Sequence, residues 1–259
     1  MNRGKTKVTI LGSGTCVPSL KRSSAAVLVT TGESRILLDT GAGTIHRLLQ
    51  AGCPVGDISH LLITHFHPDH TGELASFLFS NKYPDPSLQR RMLTLLGGAG
   101  FKDFFRKLSN VYGEWITLPP EKMRLVEAGP GEAGEMDFGD FFLSWSPVAH
   151  NPESLAYRIR DGGGKSVVYS GDTDESEFLK NLAKGADLLI CESALPDGLK
   201  VPGHLSPSLA GAIAADARVG KLVLTHFYPE CDSVDMAAEC RRTYDGPLVL
   251  AEDLMEIEV

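Results

Sequence analysis

Four residues with metal-binding side chains lie close together, directly after an apolar segment. The sequence 64–70, THFHPDH, contains His65, His67, Asp69 and His70. Neutral imidazole and carboxylate are the usual protein ligands of zinc and similar divalent ions. His65 and His67 suit one ion, and Asp69 and His70 suit a second ion ~3.5–4 Å away, a separation at which two metals can share a bridging hydroxide. The segment therefore predicts a dinuclear metal site.

Three further candidate ligands follow other apolar segments. His150 ends the segment SPVAH, Asp172 follows VVYSG, and His226 follows LVLT. Each of them alone is typical of a turn residue or a satisfied polar group, but the repeated placement at the end of an apolar segment favours one common site. His46 and His60 lie in ordinary helix and strand patterns, and no role is predicted for them.

The elements that position these side chains are predicted by short apolar segments separated by turn residues. Strands are expected at 8–11, 25–29, 36–38, 61–63, 141–148, 155–159, 167–169, 188–190, 222–224 and 248–250. Helical spacing predicts helices at 44–51, 74–79, 102–111, 176–183, 208–217 and 234–243. This alternation indicates a mixed α/β sandwich. No linker-like or low-complexity segment divides the chain, and residues 1–259 are predicted to form a single domain.

A weak internal repeat supports this architecture. The segments LLITHFHP at 61–68 and LVLTHFYP at 222–229 both read as a strand, then Thr-His-Phe, then a proline turn. The segments ILLDTG at 36–41 and VVYSGDT at 167–173 are related in a looser way. The repeat predicts two related halves that pack with their sheets inside and their helices outside.

Composition excludes several classes of protein. The formal net charge of -8 argues against coating of nucleic acid through global electrostatics. No apolar segment approaches the ~20 residues of a membrane helix, so no membrane partner is expected. The five cysteines are dispersed and form no C-x-x-C pair, which argues against a disulfide framework. Together with the absence of a signal-like start, these features predict a cytoplasmic protein.

The segment His65-x-His67-x-Asp69-His70 resembles the H-x-H-x-D-H motif of the metallo-β-lactamase superfamily. The resemblance implies a four-layer αββα sandwich, which agrees with the strand and helix pattern. It also implies that Asp172 bridges two divalent ions, most simply zinc, with manganese or iron as alternatives. The ligands implied for the two ions are His65, His67 and His150 for one, and Asp69, His70 and His226 for the other. The segment LLDTGAGT resembles an opening strand of the family and places Asp39 where it could orient a ligand histidine.

His204 and Glu192 are candidates for proton transfer. His204 precedes a predicted helix with Ser206 as N-cap and Pro207 at its first position, where backbone N–H groups could hold an anion. The imidazole could protonate a departing oxygen, and Glu192, at the end of a predicted strand, could orient it. These two residues resemble the ribonuclease Z branch, in which a glutamate supports the histidine of an H-x-[ST] motif. That resemblance implies a phosphodiesterase in which the bridging hydroxide attacks phosphorus, Asp69 takes the proton of the water, and His204 protonates the leaving group.

The substrate is less well defined by the sequence. Transfer-RNA-processing members of this branch carry a long arm between the third metal histidine and the bridging aspartate, whereas His150 and Asp172 are only 22 positions apart. A smaller cyclic or nucleotide-type phosphodiester is therefore expected, with an RNA end as the other candidate. The basic segment 82–107 could contact RNA, but a solvated face is the usual explanation of such a run; its basic residues are Lys82, Arg90, Arg91, Lys102, Arg106 and Lys107. The acidic stretch that follows could instead support a homodimer.

Two other functions use the same framework. A zinc hydrolase of a carboxylic ester, lactone or thioester would have the same metal ligands, although it would not require the pair of Glu192 and His204. A catalytically silent metal-binding module is the second alternative, and it usually loses ligands that are present here.

Overall fold

The computed structural model describes residues 6–82 and 92–259, and within them the chain forms two seven-stranded sheets. The first sheet has the order β14-β1-β2-β3-β4-β5-β6. Its strands are β1 (Lys7–Gly12), β2 (Ala26–Thr31), β3 (Ser34–Leu38), β4 (His60–Leu62), β5 (Leu93–Gly97), β6 (Met123–Glu127) and β14 (Met255–Glu258). The second sheet has the order β13-β12-β11-β10-β9-β8-β7. Its strands are β7 (Gly134–Asp137), β8 (Phe141–Pro147), β9 (Leu155–Asp161), β10 (Ser166–Tyr169), β11 (Leu188–Glu192), β12 (Leu222–Thr225) and β13 (Leu248–Leu250).

The two sheets have the same internal pattern of strand directions. Strands β3 to β6 are parallel to one another in the first sheet, and strands β10 to β13 are parallel to one another in the second. The remaining strands of each sheet pair in antiparallel fashion. In open sheets with parallel strands, functional groups collect beyond the carboxyl ends of those strands. The predicted ligand segments 64–70, 170–173 and 226 follow β4, β10 and β12 at these ends.

Helices cover the outer faces of both sheets. These helices are α1 (Thr44–Gln50), α3 (Leu74–Lys82), α4 (Phe101–Tyr112), α5 (Glu177–Ala183), α6 (Pro207–Ala217) and α7 (Met236–Cys240), whereas the short helix α2 (Pro68–Thr71) lies in the metal-binding motif. One apolar cluster joins residues of the two sheets with α5 and α6, and a second joins the first sheet with α1, α3 and α4. Burial of these apolar side chains is the main force that holds such layers together. The predicted αββα sandwich is therefore confirmed.

Four strands and one short helix were not predicted. Three of the strands, β6, β7 and β14, lie at sheet edges, where alternate residues are exposed and the sequence is correspondingly polar. The inner strand β5 is buried throughout, and so short an apolar segment does not by itself distinguish a strand from a helix. The helix α2 has four residues and begins at Pro68, inside the metal-binding motif.

Among the described residues, no helix has both the length and the apolar character needed to cross a membrane.

Candidate metal centre

The structure brings all seven predicted ligands together at one edge of the sandwich. Within the described ranges, two groups of potential metal-binding atoms contain them, and the atoms in each group lie within 4.8 Å of one another. One group consists of His65, His67, His150 and Asp172, and the other of Asp69, His70 and His226. The predicted ligands thus converge from β4, β10, β12 and the connection between β8 and β9.

Asp172 lies between the two groups and directs one oxygen to each. Its Oδ2 is 3.7 Å from Nε2 of His65 and 4.0 Å from Nε2 of His150. Its Oδ1 is 3.2 Å from Nε2 of His70 and 3.3 Å from Nε2 of His226. This division of the two oxygens is the geometry required of a carboxylate that bridges two cations.

The remaining distances within each group are also those of a coordination shell. Nε2 of His150 lies 3.3 Å from Nδ1 of His67. In the second group, Oδ2 of Asp69 is 3.5 Å from Nε2 of His226, which is 3.4 Å from Nε2 of His70. Two ligand atoms that are each ~2.1 Å from one tetrahedral ion lie ~3.4 Å apart. The side chains therefore fit divalent ions without rearrangement of the backbone.

Several buried polar atoms support this fit because they have no other partner. Within the described residues, Nε2 of His65 and Oδ1 of Asp172 are buried and make no hydrogen bond. A buried polar atom without a partner is costly and is therefore uncommon in folded proteins. Each of the two atoms lies among the ligand atoms of one group, where a cation would satisfy it. Together with the distances, this makes the cluster a His/Asp metal-binding cluster.

The histidines are oriented by hydrogen bonds to their other ring nitrogens. Nδ1 of His70 lies 2.8 Å from Oδ2 of the fully buried Asp39, and Nδ1 of His65 lies 3.1 Å from Oγ1 of Thr64. Asp39 also accepts hydrogen bonds from the backbone N–H of Thr64 at 2.8 Å and the hydroxyl of Tyr169 at 3.2 Å. A carboxylate that holds Nδ1–H leaves Nε2 free to bind a metal. The predicted orienting position of Asp39 is thus what the geometry shows.

The two exposed-side histidines have different supports. Nδ1 of His150 donates to the carbonyl of Gly203 at 2.8 Å. Nε2 of His67 lies 3.2 Å from the side-chain amide of Asn151. His67 is exposed and His150 is half-buried, whereas His65 and His70 are fully buried. One side of the metal-binding cluster is therefore accessible to a substrate.

Two residues at the centre have a strained backbone. Asp39 has φ 62° and His226 has φ 63°, both in the left-handed region. Such conformations cost free energy in a residue other than glycine and persist only where the surrounding structure fixes them. Asp39 is fixed by its hydrogen bonds to Thr64, Tyr169 and His70. The strain thus coincides with the point where ligands are positioned.

The ionisation states also suit a cation. Burial, reinforced by His70, lowers the pKa of His65 to about 2, so this imidazole is neutral. Although burial opposes it, the carboxylates of Asp172 and Asp39 raise the pKa of His70 well above its ordinary value. Burial likewise disfavours an ionised Asp172, but His226 and His70 hold its pKa well below the usual range. Neutral His65 and ionised Asp172 are the forms in which these side chains bind a divalent ion.

The predicted pair of Glu192 and His204 is formed beside this cluster. Nδ1 of His204 lies 2.9 Å from Oε1 of Glu192 and 3.9 Å from Oδ2 of Asp172. Glu192 is fully buried and also accepts hydrogen bonds from the backbone N–H groups of Thr173 and Ala194. Burial raises the pKa of Glu192, and the hydrogen bond from His204 partly offsets this rise. Burial lowers the pKa of His204, but Glu192 more than compensates and the net shift is upward.

His204 also belongs to a third group of possible ligand atoms, with Asp172 and His226. Its Nδ1 is already engaged by Glu192, and its ring stacks on His226 with centroids 5.6 Å apart. With Nδ1–H donated to a carboxylate, Nε2 is the nitrogen that can exchange a proton with a bound substrate. The geometry therefore agrees better with proton transfer than with metal binding.

The helix after His204 begins as predicted, but its amino terminus is not free for an anion. Ser206 is the N-cap and Pro207 the first residue of α6. The backbone N–H and the hydroxyl of Ser208 both donate to Oδ1 of Asp197, at 3.1 and 2.8 Å. Asp197 thus occupies the positive end of this helix, and the expectation of a phosphate at that point is wrong.

The predicted basic segment 82–107 is only partly described. Arg90 and Arg91 lie outside the described residues. Arg106 and Lys107 both pair with Asp103 on α4, at 2.5 and 2.9 Å. Lys82 stacks over the ring of Trp115 and donates to the carbonyl of Glu114. Arg106, Lys107 and Lys82 thus have local partners, which agrees with a solvated face.

Three supporting residues were not identified from the sequence. Thr64 and Tyr169 hold Asp39, and Asp174 accepts hydrogen bonds from the loop that carries His204. Thr64 was visible as the first residue of the motif. Tyr169 and Asp174 gave no signal, because their partners lie far away in the chain.

The comparison with known families agrees with this geometry. The model of the metallo-beta-lactamase superfamily matches residues 21–226, and the chain belongs to this superfamily. This range contains every residue of the metal-binding cluster. The chain is therefore a metal-dependent hydrolase by family, and its relatives include ribonuclease Z proteins.

Two relatives and one solved structure cover nearly the whole chain. The uncharacterized protein Rv1339 of Mycobacterium tuberculosis is 30% identical over 97% of this chain and 92% of its own length. The ribonuclease Z of Mycobacterium bovis is 28% identical over 98% of both chains. The short form of human tRNase Z is 25% identical, with a TM-score of 0.79, over 98% of this chain and 99% of that structure. The predicted resemblance to the ribonuclease Z branch is thus confirmed.

Proposed function

We propose that this protein is a dinuclear zinc-dependent phosphodiesterase. The proposed ligands are His65, His67 and His150 for one ion, Asp69, His70 and His226 for the other, and Asp172 for both. Manganese or iron would fit the same nitrogen and oxygen ligands. The opposed directions of the two Asp172 oxygens support two ions rather than one.

The observation that carries the proposal is the pair of Glu192 and His204. Hydrolysis of a phosphodiester expels one of its two esterified oxygens as an alkoxide, which is a poor leaving group unless it is protonated. His204 lies at the edge of the cluster, its Nδ1–H is fixed by Glu192 at 2.9 Å, and its pKa is raised so that a proton is retained. A hydrolase of activated carboxylic esters or lactones has less need of such a proton donor. The pair therefore favours phosphodiesters over carboxylic substrates.

The residues of the chain would divide the reaction between them. Two divalent ions held here would supply a water of lowered pKa and neutralise charge on the phosphate. Asp69 is held ionised, with a pKa lowered to about 2: burial opposes ionisation, but the hydrogen bond with His226 and the charge of His70 outweigh it. This carboxylate can orient the attacking water and accept its proton. Nε2 of His204 protonates the leaving oxygen, and Glu192 keeps the imidazole in the required tautomer.

The proposed substrate is a small cyclic or nucleotide-type phosphodiester, with an RNA end as the other substrate. The connection between β9 and β10 comprises only residues 162–165, so no long arm lies between His150 and Asp172 to clamp a large RNA. The half-exposed side of the cluster, at His67 and His150, admits a small ligand. Because the relatives include ribonuclease Z and tRNase Z proteins, RNA ends should be tested as substrates as well.

The free cysteines favour a cytoplasmic location for this activity. Cys16, Cys53, Cys191, Cys231 and Cys240 are all unpaired, as expected in a reducing compartment. Burial raises the pKa of Cys191, Cys231 and Cys53, which keeps these thiols protonated and unreactive. A homodimer stays a prediction from the sequence.

The test is hydrolysis of bis(4-nitrophenyl) phosphate by zinc-loaded and chelator-stripped protein. A nitrophenyl phosphomonoester and a β-lactam are the control substrates and are tested in the same buffer. We expect zinc-dependent release of nitrophenol from the diester alone. Binding of two zinc ions without diester turnover would refute the phosphodiesterase and favour a carboxylic substrate or a silent metal-binding module.

A further inference from the structure

Asp174 connects the turn that carries Asp172 to the loop that carries His204. Its two carboxylate oxygens each lie 2.7 Å from Nζ of Lys200. Its Oδ2 also accepts a hydrogen bond of 2.9 Å from the backbone N–H of Gly203. The loop from Ala194 to Gly203 is thus attached at two points to a residue next to the metal-binding cluster.

The carboxylate of Asp174 is itself held in one orientation. Its backbone N–H donates to the carbonyl of Ala149 at 2.8 Å, and its Oδ1 accepts the backbone N–H of Glu175 at 2.9 Å. With these bonds and those from Lys200 and Gly203, the carboxylate has a fixed position.

Gly203 links Asp174 to two imidazoles, those of His150 and His204. Its carbonyl accepts the Nδ1–H of His150 at 2.8 Å, and the next residue is His204. Gly203 has φ 86°, and a Cβ at this point would lie 3.3 Å from Nδ1 of His150. The backbone of Gly203 thus lies in close contact with the proposed ligand His150, and its orientation affects the direction of the His204 side chain.

Glu192 holds the ring of His204, but the backbone that leads to His204 has weaker contacts of its own. The backbone N–H of His204 reaches the carbonyl of Val201 at 3.4 Å, which is a long hydrogen bond. Val201 and Pro202 are exposed, so packing does not fix this part of the loop. The bonds from Lys200 and Gly203 to Asp174 are the short, charge-assisted contacts of this backbone segment.

We infer that Asp174, together with Lys200, is a positioning residue that orients His204 for proton transfer and His150 for metal binding. This inference rests on the proposed function for His204 but not for His150, whose orientation is measurable without a substrate. An isolated ion pair at a surface contributes little to stability. The role is therefore expected to appear in metal affinity and in leaving-group dependence rather than in the melting temperature.

The chain contains a matched control for this carboxylate. Asp187 accepts hydrogen bonds from Nζ of Lys165 at 2.7 Å and from the backbone N–H of Ser166 at 2.9 Å, so it too combines a lysine with a backbone donor. It precedes β11 and contacts the start of β10, at the opposite end of these strands from the metal-binding cluster. Substitution of Asp187 removes the same kind of interaction without reaching His150 or His204.

The first experiment measures zinc affinity of Asp174→Ala and Asp187→Ala by competition with a chromophoric chelator. Loss of an orienting contact in a metal site typically weakens binding ~10-fold or more. We expect that loss for one zinc ion in Asp174→Ala and less than ~2-fold in Asp187→Ala. Equal affinities in wild type and Asp174→Ala would overturn the part that concerns His150, whether or not the protein hydrolyses diesters.

The second experiment compares diesters with nitrophenyl and phenyl leaving groups at saturating zinc. Unsubstituted phenolate needs protonation in order to leave, whereas the less basic nitrophenolate does not. We therefore expect kcat/KM of Asp174→Ala to fall ~10-fold more for the phenyl than for the nitrophenyl diester. Equal loss for both would indicate a merely structural role and overturn the part that concerns His204. If the wild-type protein does not hydrolyse diesters, the proposed function is refuted. The role of Asp174 toward His204 then fails with it, whereas its role toward His150 does not.

Two substitutions at Lys200 repeat the test if Asp174→Ala does not fold. Lys200→Met removes the cation but keeps the hydrogen bond from Gly203 to Asp174, whereas Lys200→Arg keeps a cation. We expect Lys200→Met to reproduce the selective loss on the phenyl diester and Lys200→Arg to restore at least half of the wild-type value. Identical behaviour of the two variants would overturn the role of the ion pair.

Discussion

Asp172 is the residue on which both ligand groups depend, because its oxygens face different imidazoles. Oδ1 lies 3.2 Å from His70 and Oδ2 lies 3.7 Å from His65. A carboxamide at this position could not donate negative charge to two cations. The other ligands each contribute to a single group, so their loss should affect one ion more than the other.

Asp69 provides a test of that difference. In Asp69→Ala the second group loses its only unshared carboxylate, since Asp172 belongs to both. We expect bound zinc to fall from two ions towards one and diester turnover to be abolished, as measured by atomic emission and by nitrophenol release. Asp103→Ala, which removes an exposed carboxylate on α4, is the control. Wild-type turnover in Asp69→Ala would contradict the assignment of this residue.

His204 is predicted to act on the leaving group and not on the metals. His204→Ala should retain two zinc ions and lose ~10²-fold or more in kcat for a phenyl diester, with a much smaller loss for a nitrophenyl diester. The reason is that Nε2 of His204 supplies a proton that only the poorer leaving group requires. The measurement is metal content together with kcat for both diesters. A uniform loss, or the loss of one zinc ion, would show that His204 is a ligand instead.

Glu192 and His204 are expected to act as one unit. Glu192→Gln removes the charge that holds Nδ1–H of His204 at 2.9 Å and should reduce kcat for the phenyl diester. The double substitution Glu192→Gln with His204→Ala should cost little more than the worse single one, because groups that act together are not additive. A double-mutant cycle of kcat measures this, and fully additive losses would argue against the pair.

At the scale of elements, the centre depends on a close approach between the ends of β4 and β10. Gly171 follows β10 and Thr64 follows β4, and a Cβ on Gly171 would lie 2.7 Å from Cβ of Thr64. Thr64 contacts both Asp39 and His65. The two sheets can therefore share one metal centre only while residue 171 has no side chain.

Gly171→Ala tests this approach against Gly185→Ala. Both glycines have positive φ, 56° and 63°, but a Cβ on Gly185 meets nothing within 4 Å. The left-handed φ should cost ~1–2 kcal/mol of unfolding free energy in either variant, and the clash should add ~1–3 kcal/mol in Gly171→Ala. Denaturant unfolding and zinc titration measure the two effects. Weakened zinc binding is expected in Gly171→Ala alone, and equal zinc affinities would contradict the prediction.

At the scale of the whole molecule, the two sheets meet at His60. This side chain on β4 packs edge-on against Phe138 in the connection between β7 and β8, and against Phe141 of β8, with ring centroids 4.5 and 4.9 Å away. Burial lowers the pKa of His60 to about 4, although the charge of Asp140 acts in the opposite direction. The neutral imidazole is thus part of the contact between the sheets.

This contact predicts a pH dependence of stability. The unfolded chain protonates His60 below pH ~6.5, whereas the folded chain does so only below about 4. The contribution of neutral His60 is therefore complete above that range and is lost as the pH falls through it, by up to ~3 kcal/mol. His60→Phe should flatten this part of the profile, and the exposed His46→Gln should not. Unfolding free energies between pH 7 and 4 measure it, and parallel profiles for His60→Phe and wild type would contradict it.

The sequence predicted the candidate ligands because the evidence for them is local. His65, His67, Asp69 and His70 lie on one turn, and the other ligands each end an apolar strand, so residue type and spacing alone identified them. The inner strands other than β5 were predicted for the same reason, since burial on both faces requires apolar residues. The edge strands β6, β7 and β14 escaped prediction because half of their side chains face solvent.

Only the tertiary structure decided how those ligands are held. Asp39 reaches His70 across 31 positions and Tyr169 reaches Asp39 across 130, and both contacts depend on which strands are neighbours. The same is true of the division of the Asp172 oxygens and of the bonds from Asp174 to Lys200 and Gly203. A hydrogen bond between distant positions is fixed by sheet order and register, and neither is encoded in the spacing of residues along one strand.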